Sequence, residues 1–331
     1  MERSGFIKSA IKTPPIVIKL SKLIRRIPQN HIKQKFLQEQ LRNFTSGHTG
    51  EKSLDYFYRY LPKTNMNLVH GIRILHDHYY FQMDTLILTP NFITILEIKN
   101  FAGHLYFDDK FSQLIRTYNG QKEAFSNPIE QVKRQSYHLN EILLQQKFSP
   151  IPIESLVVMT HPHVIIEASP TYKEAYEKVI KSSSLQQKFH EFSQKHTQTI
   201  LLPKQIKKLL KFLIKVNSSF NPDICEFFQI DKKDLLTGVL CPLCDQSIMN
   251  YRWGIWHCPA CKYASKTAHI EALQDYAYLC STYISNRECM KYLHLKTSDQ
   301  TNHLLRSLKL PTSGSTKFRK YNLTPLLEKT T

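Results

Sequence analysis

Between residues 68 and 100 the chain carries three apolar runs rich in β-branched and aromatic residues: "LVHGIRIL" (68–75), "YYFQMDTLILT" (79–89) and "NFITILEIKN" (91–100). Runs of this length and composition predict strands, and the short polar links between them predict an antiparallel meander. Ahead of them, 30–44 reads as a helix. "TSGHTGEKSLDYFYRYLP" then reads as a glycine-containing turn and a second helix from about Glu51 to Leu61. "HLYFDD" and "SQLIRTYNGQKEAF" predict a further hairpin turning at Asn119-Gly120. The period then lengthens: "NPIEQVKRQSYHLNEILLQQKF" (127–148) has Pro128 just inside its start and helical spacing thereafter. "ESLVVMTH" (154–161) predicts a buried strand, and the remainder to about 235 reads as mainly helical. Helix, three strands, helix, strand is the order of an α/β domain with a mixed sheet flanked by helices.

From 241 the character changes to a cysteine cluster. "HIEALQDYAYLCSTYIS" (helix 269–281), "NRECMKYLHL" and "SDQTNHLLRSLKL" follow as short helices, and "PTSGSTKFRKYNL" as a basic hairpin. The expected organisation is a basic helical segment over 1–47, an α/β domain over 48–235, a metal-bound ribbon over 236–266 and a small helical domain over 267–331. A length of 331 residues agrees with more than one domain.

Composition adds a partner class. The formal net charge is +18, which calls for a polyanion, with nucleic acid first and an anionic membrane surface second. Residues 1–48 hold ten Lys or Arg against Glu2 and Glu39, and "PKQIKKLLKFLIK" (203–215) is a second basic run. Any one such run reads equally well as a solvated helix face. No apolar run reaches the length of a membrane span, and Lys19 and Lys22 interrupt the N-terminal apolar stretch, so a cytoplasmic protein without a secretory signal is expected.

Candidate chemistry begins at "LEIKN" (96–100). Strand alternation puts Glu97 and Lys99 on one face, where they are either a surface ion pair or the start of an active site. Asp84 lies within the preceding strand pattern and can approach Glu97 across a hairpin. Two carboxylates held together repel, and a divalent cation relieves that repulsion through oxygen ligands; Mg²⁺, or Mn²⁺ in its place, suits such a site. Lys99 would then orient water or stabilise charge on a phosphate. Glu51 at the preceding helix start could reach the same place. Gln131 and Gln135, four apart on one helical face, could orient water or hold backbone, or simply be solvated.

"GEKSLDYFYRYLP", "QMDTLILTPNFITILEIKNFAGHLYFD" and "NPIEQVKRQ" together resemble the nuclease-related domain (NERD) family, itself related to the PD-(D/E)XK nuclease superfamily. The resemblance covers roughly 45–165 and rests on G-E, D, E-x-K and Q-x-x-x-Q occurring in that order. It implies a PD-(D/E)XK nuclease-like fold with Glu51, Asp84, Glu97 and Lys99 as the site and Gln131 and Gln135 in support. Met83 stands where the superfamily name has proline.

"CPLC" (241–244) and "CPAC" (258–261) are two C-x-x-C knuckles thirteen residues apart. Four thiolates so spaced can surround Zn²⁺, and the module resembles a zinc ribbon with Cys241, Cys244, Cys258 and Cys261 as ligands. Disulfides are the alternative chemistry. The helices and hairpin that follow resemble a winged helix-turn-helix. Gln300, Asn302 and Arg306 would contact bases and Lys317, Arg319 and Lys320 phosphates, with a purely structural helical cap as the other reading. The function expected is metal-dependent phosphodiester hydrolysis in nucleic-acid processing, DNA ahead of RNA. Its rivals are a non-enzymatic DNA-binding protein and a signalling or stress adaptor that docks a protein through the ribbon.

Overall fold

The computed structural model describes residues 7–8, 10–63, 65–245, 247–315 and 318–327. The chain folds into two compact units, Met1–Pro14 with Asn43–Phe220, and Pro15–Arg42 with Asn221–Thr331. This grouping cuts across the four consecutive segments expected from sequence. Among the described residues, no helix is long and apolar enough to cross a membrane.

The first unit is built on a six-stranded mixed sheet of order β1-β2-β3-β4-β8-β10. Its strands are β1 (Ile7–Lys8), β2 (Asn67–His76), β3 (Tyr79–Leu88), β4 (Ile93–Lys99), β8 (Ile153–Met159) and β10 (Val179–Lys181). β2, β3 and β4 form the antiparallel meander, and β8 runs parallel to both β4 and β10. Alternation sorts the side chains. Ile93 and Ile95 enter the core shared with α3 (Pro128–Gln145) and α6 (Pro203–Val216), whereas Leu96 and Ile98 join Leu54 of α2 (Gln34–Tyr58) and Phe189 of α5 (Leu185–Lys195). Glu97 and Lys99 therefore continue the Ile93–Ile95 row toward α3. Asn127 caps α3, accepting from the Ile129 amide, and Pro128 occupies its first turn.

A second sheet of order β7-β6-β5-β9 is formed by β5 (His104–Asp108), β6 (Gln113–Tyr118), β7 (Gln121–Ser126) and β9 (Ile165–Ala168). Asn119 and Gly120 turn between β6 and β7 with φ of 50° and 77°, as the expected hairpin requires. The stretch after β8 holds β9 and β10 as well as α4 (Lys173–Lys178), α5 and α6, so it is less purely helical than its pattern suggested.

One expectation is corrected here. The glycine-containing turn does not form, and Gly47 and Gly50 lie inside the continuous helix α2. Glycine in a helix interior costs about 1 kcal/mol relative to alanine. At Gly50 close packing accounts for it, since a Cβ there would meet Asn100 Cβ at 2.7 Å and Thr160 Oγ1 at 2.9 Å. The missing side chain lets α2 lie against the end of β4 and brings Glu51, the next residue, to the carboxylates.

The second unit joins α1 (Pro15–Arg26) and α7 (Ile224–Phe227) to a three-stranded ribbon and a helical tail. The ribbon is β11 (Asn250–Arg252), β12 (Ile255–His257) and β13 (Ala264–Ser265), with the β11–β12 turn at Trp253 and Gly254, φ 49° and 82°. The tail runs α8 (Ala268–Leu279), β14 (Tyr283–Ser285), α9 (Asn286–Leu293), α10 (Ser298–Ser307), β15 (Thr312–Ser313), β16 (Lys320–Asn322) and α11 (Thr324–Leu327). β14, β16 and β15 form an antiparallel sheet in that order. Ribbon and tail share one core, in which Trp256 and Cys258 pack with Leu273, Leu293 and Leu305.

Five of the ten Lys and Arg in residues 1–48 are engaged within this unit. Arg26, 1% exposed, donates to Asp275 Oδ2 at 2.7 Å and to the Gly238 carbonyl at 2.7 Å. Lys22 and Arg25 pair with Glu271 and Asp275, Lys19 donates to the Pro222 carbonyl, and Lys33 to the Phe228 and Gln229 carbonyls. Removing one partner from a buried pair such as Arg26–Asp275 costs about 3–5 kcal/mol, because the other charge is left unpaired. The charge count at the N-terminus thus overstated the surface available to phosphate. The five lysines of α6, Lys204, Lys207, Lys208, Lys211 and Lys215, remain exposed and have no ion pair among the described residues.

Candidate functional site

The β3–β4 ladder ends at the pair Thr85–Leu96, while β4 stays paired with β8 as far as Lys99–Met159. The two strands separate where Asp84 and Glu97 would next face each other, and backbone groups released there must find other partners. The Ile98 amide donates to Asp84 Oδ2 at 2.8 Å. The Gln82 carbonyl accepts from Gln135 Nε2 at 2.7 Å, and the same nitrogen donates to Glu97 Oε2 at 2.8 Å. Both partners are acceptors, which sets the Gln135 amide orientation and leaves its Oε1 buried without a hydrogen bond among the described residues. Lys99 Nζ donates to Glu97 Oε1 at 2.6 Å and to Gln131 Oε1 at 3.2 Å. Glu97 is 3% exposed, so the pair is no solvated surface contact.

All six candidate residues, Glu51, Asp84, Glu97, Lys99, Gln131 and Gln135, are thus gathered at the opening between β3 and β4. Burial, then the nearby Glu97 and Glu51 charges, push the Asp84 carboxyl well above the usual range, against the pull of the Ile98 amide and Lys99. Burial and then Glu97 raise Glu51 to about 7. A site that holds carboxylates against their own repulsion and presents an orphaned carbonyl oxygen, Gln135 Oε1, has the donor chemistry of a hard divalent cation. The three carboxylates are not drawn into a group as tight as the cysteines below.

A pH dependence follows for protein without divalent cation in this site. Glu51 binds its proton more tightly folded, at about 7, than at its ordinary value of 4.5. The stabilisation is full below about 4.5 and is lost as pH rises through 7. Urea unfolding of the first unit, followed by circular dichroism in divalent-free buffer, is expected to show stability falling from pH 5 to pH 8. Glu51→Gln should remove on the order of 2–3 kcal/mol of that fall. An identical fall in the variant would contradict the assignment.

In the second unit Cys241, Cys244, Cys258 and Cys261 place their sulfurs within 4.8 Å of one another, and no other group of three or more His, Cys, Asp or Glu among the described residues is as tight. The Cys241–Cys261 and Cys244–Cys258 sulfur distances are 3.6 and 3.7 Å. Tetrahedral zinc with bonds of about 2.3 Å requires sulfur–sulfur edges of about 3.8 Å, so the cluster has the size of a zinc site. None of the seven cysteines is in a disulfide. The Cys261 amide donates to Cys258 Sγ at 3.5 Å, as a knuckle stabilising thiolate would.

Among the tail candidates, Gln300 and Arg306 are exposed on α10, and Arg319 and Lys320 are exposed at and before β16. Asn302 is half-buried and accepts from Asn286 Nδ2 at 2.8 Å, which ties α10 to α9. Lys317 lies outside the described residues. Several residues at the opening between β3 and β4 escaped the sequence reading. Asn100 bonds Ser46 and Thr160, and His76, Arg134 and His138 line the cavity beside Gln131 and Gln135. Asn100 directly follows the E-x-K pattern and could have been noticed. The histidines carry no local signal because they meet only through packing of the β2–β3 hairpin on α3.

Residues 46–160 match the family model described as Nuclease-related domain (NERD). No curated protein matches the chain, and no solved structure does.

Proposed function

We propose that this chain, which carries a nuclease-related domain over residues 46–160, is a metal-dependent nuclease that hydrolyses phosphodiester bonds. The observation that carries the reading is the buried Glu97, bridged by Lys99 and Gln135 beside the raised carboxyls of Asp84 and Glu51. Such an arrangement is costly for stability alone. Asp84 and Glu97 would hold Mg²⁺ or Mn²⁺, with Glu51 supporting. A bound cation supplies charge stabilisation to the phosphate and lowers the pKa of water. Lys99, steadied by Gln131, faces the charge that grows on the phosphate oxygens, and Gln135 keeps Glu97 in place. Hydrolysis puts the water oxygen on phosphorus, breaks the P–O bond and returns a proton to the leaving alkoxide. The direct test is cleavage of single-stranded and duplex DNA and RNA with Mg²⁺ or Mn²⁺. Zinc-loaded protein inactive on all four would overturn the reading in favour of a binding protein.

DNA stands ahead of RNA as the substrate in this proposal. The helix–strand–helix–helix–strand–strand order from α8 to β16 supports a winged-helix reading of the tail, with Gln300, Asn302 and Arg306 toward bases and Lys317, Arg319 and Lys320 toward phosphates. The ribbon would brace that tail through their shared core. Point substitutions test the tail better than truncation, which would open that core. Arg319→Ala and Lys320→Ala should each weaken duplex binding and lower the salt slope by about one, read by fluorescence anisotropy at several salt concentrations. Unchanged slopes would leave the tail a structural cap or a protein dock.

A further inference from the structure

Beside the carboxylate cluster lies a cavity of about 380 Å³ that shares Gln131 and Gln135 with it and is otherwise lined chiefly by His76, Tyr79, Tyr80, Phe81, Arg134 and His138. Its volume falls within the roughly 300–1,000 Å³ of small-ligand sites. Arg134 is exposed and has no ion pair among the described residues. Tyr79 is 80% exposed, while one face of Tyr80 is covered by the Arg73 guanidinium 3.5 Å from its centroid. Asp77 is the acidic residue of the lining, and its side chain is 82% exposed.

The two histidines add a directed donor. Their Nδ1 atoms are 3.2 Å apart, so one ring donates and the other accepts. The His76 side chain is 8% exposed and its Nε2 is buried without a partner. A buried lone pair is tolerated better than a buried unpaired N–H. Asp77 Oδ2, 3.7 Å from His76 Nδ1, also favours the proton on that nitrogen. His76 therefore donates from Nδ1, and His138 accepts at Nδ1 and carries its own proton on Nε2, where the cavity can use it.

We propose that this cavity is a nucleotide subsite that takes one unpaired nucleotide next to the scissile phosphate, its base against Tyr79 and its phosphate on Arg134 and His138 Nε2–H. An aromatic face accepts any base, and guanidinium and imidazole donors suit a phosphate. A base inside a duplex is stacked on both sides and cannot enter, so the subsite selects single strands, flaps and frayed ends. The placement beside the scissile bond rests on the nuclease reading, whereas the cavity's ligand chemistry does not.

The experiment titrates the full-length protein with adenosine 5′-monophosphate by isothermal titration calorimetry, without added divalent cation. Saturable binding is expected, weakened about tenfold or more by Arg134→Ala and by Tyr79→Ala, both surface changes that leave the core intact. Ribose 5-phosphate should bind more weakly than the nucleotide and be insensitive to Tyr79→Ala. Absence of saturable binding, or equal affinity in wild type and both variants, overturns the subsite even if the protein cleaves nucleic acid. Binding that depends on both residues in a protein that cleaves nothing sustains the subsite and removes the nuclease reading.

Discussion

Asp84→Asn and Glu97→Gln should each lower Mg²⁺-dependent cleavage at saturating substrate by about a thousandfold, a barrier increase of about 4 kcal/mol, with little change in nucleic-acid affinity. The amide variants are preferred to alanine for a structural reason. Asp84 Oδ2 accepts from the Ile98 amide, and Glu97 receives Lys99 and Gln135, so truncation would strip buried donors of their acceptors. Asparagine at 84 keeps the acceptor oxygen for the Ile98 amide, and glutamine at 97 keeps the volume and one of the two acceptor oxygens, while both remove the charge a cation needs. Lys99→Met should lose rate as well, since the residue faces charge that develops during the reaction rather than in the bound state. Single-turnover cleavage in Mg²⁺ and anisotropy in Ca²⁺ separate the two effects. Wild-type cleavage rates in both amide variants would exclude these carboxylates from the chemistry.

Cys258→Ser combined with Cys261→Ser should release one zinc per chain and collapse the ribbon, because apparent zinc-binding energies of about 10–16 kcal/mol exceed what a segment this small stores in packing. The chain's two tryptophans, Trp253 and Trp256, both lie in the ribbon, and Trp256 is 1% exposed. Its emission should therefore shift to the red as the metal leaves. The loss should spread through the second unit, since Trp256 packs in the tail's core and donates to His269 Nδ1 at 3.1 Å. Among the described residues, these cores of the first unit contain no ribbon residue, so its circular dichroism signal should persist. Elemental analysis finding no zinc in wild-type protein purified without chelator, or full zinc in the variant, would refute the site.

Local patterning determined a good deal of this protein. Apolar, β-rich runs specified β2, β3, β4 and β8, Pro128 and the spacing after it specified α3, Asn119-Gly120 specified a hairpin, and the two C-x-x-C knuckles specified a four-sulfur cluster. These are short-range matters, decided by backbone sterics, side-chain alternation and ligand spacing. Alternation also put Glu97 and Lys99 on one face before any tertiary contact was known. It left open whether that face met solvent or a partner. Only tertiary structure decided this, through the β3–β4 separation that freed backbone groups for Asp84 and Gln135 and through α3 laid over Glu97. The Gly47–Gly50 stretch shows the same limit from the other side: propensity favoured a turn, and the close approach of α2 to Asn100 and Thr160 favoured a helix. Charge was the least legible quantity, because Arg26 and Asp275 are 249 positions apart. A net charge can be counted from composition, but which lysines and arginines remain free for a phosphate depends on which acidic groups the fold brings to them.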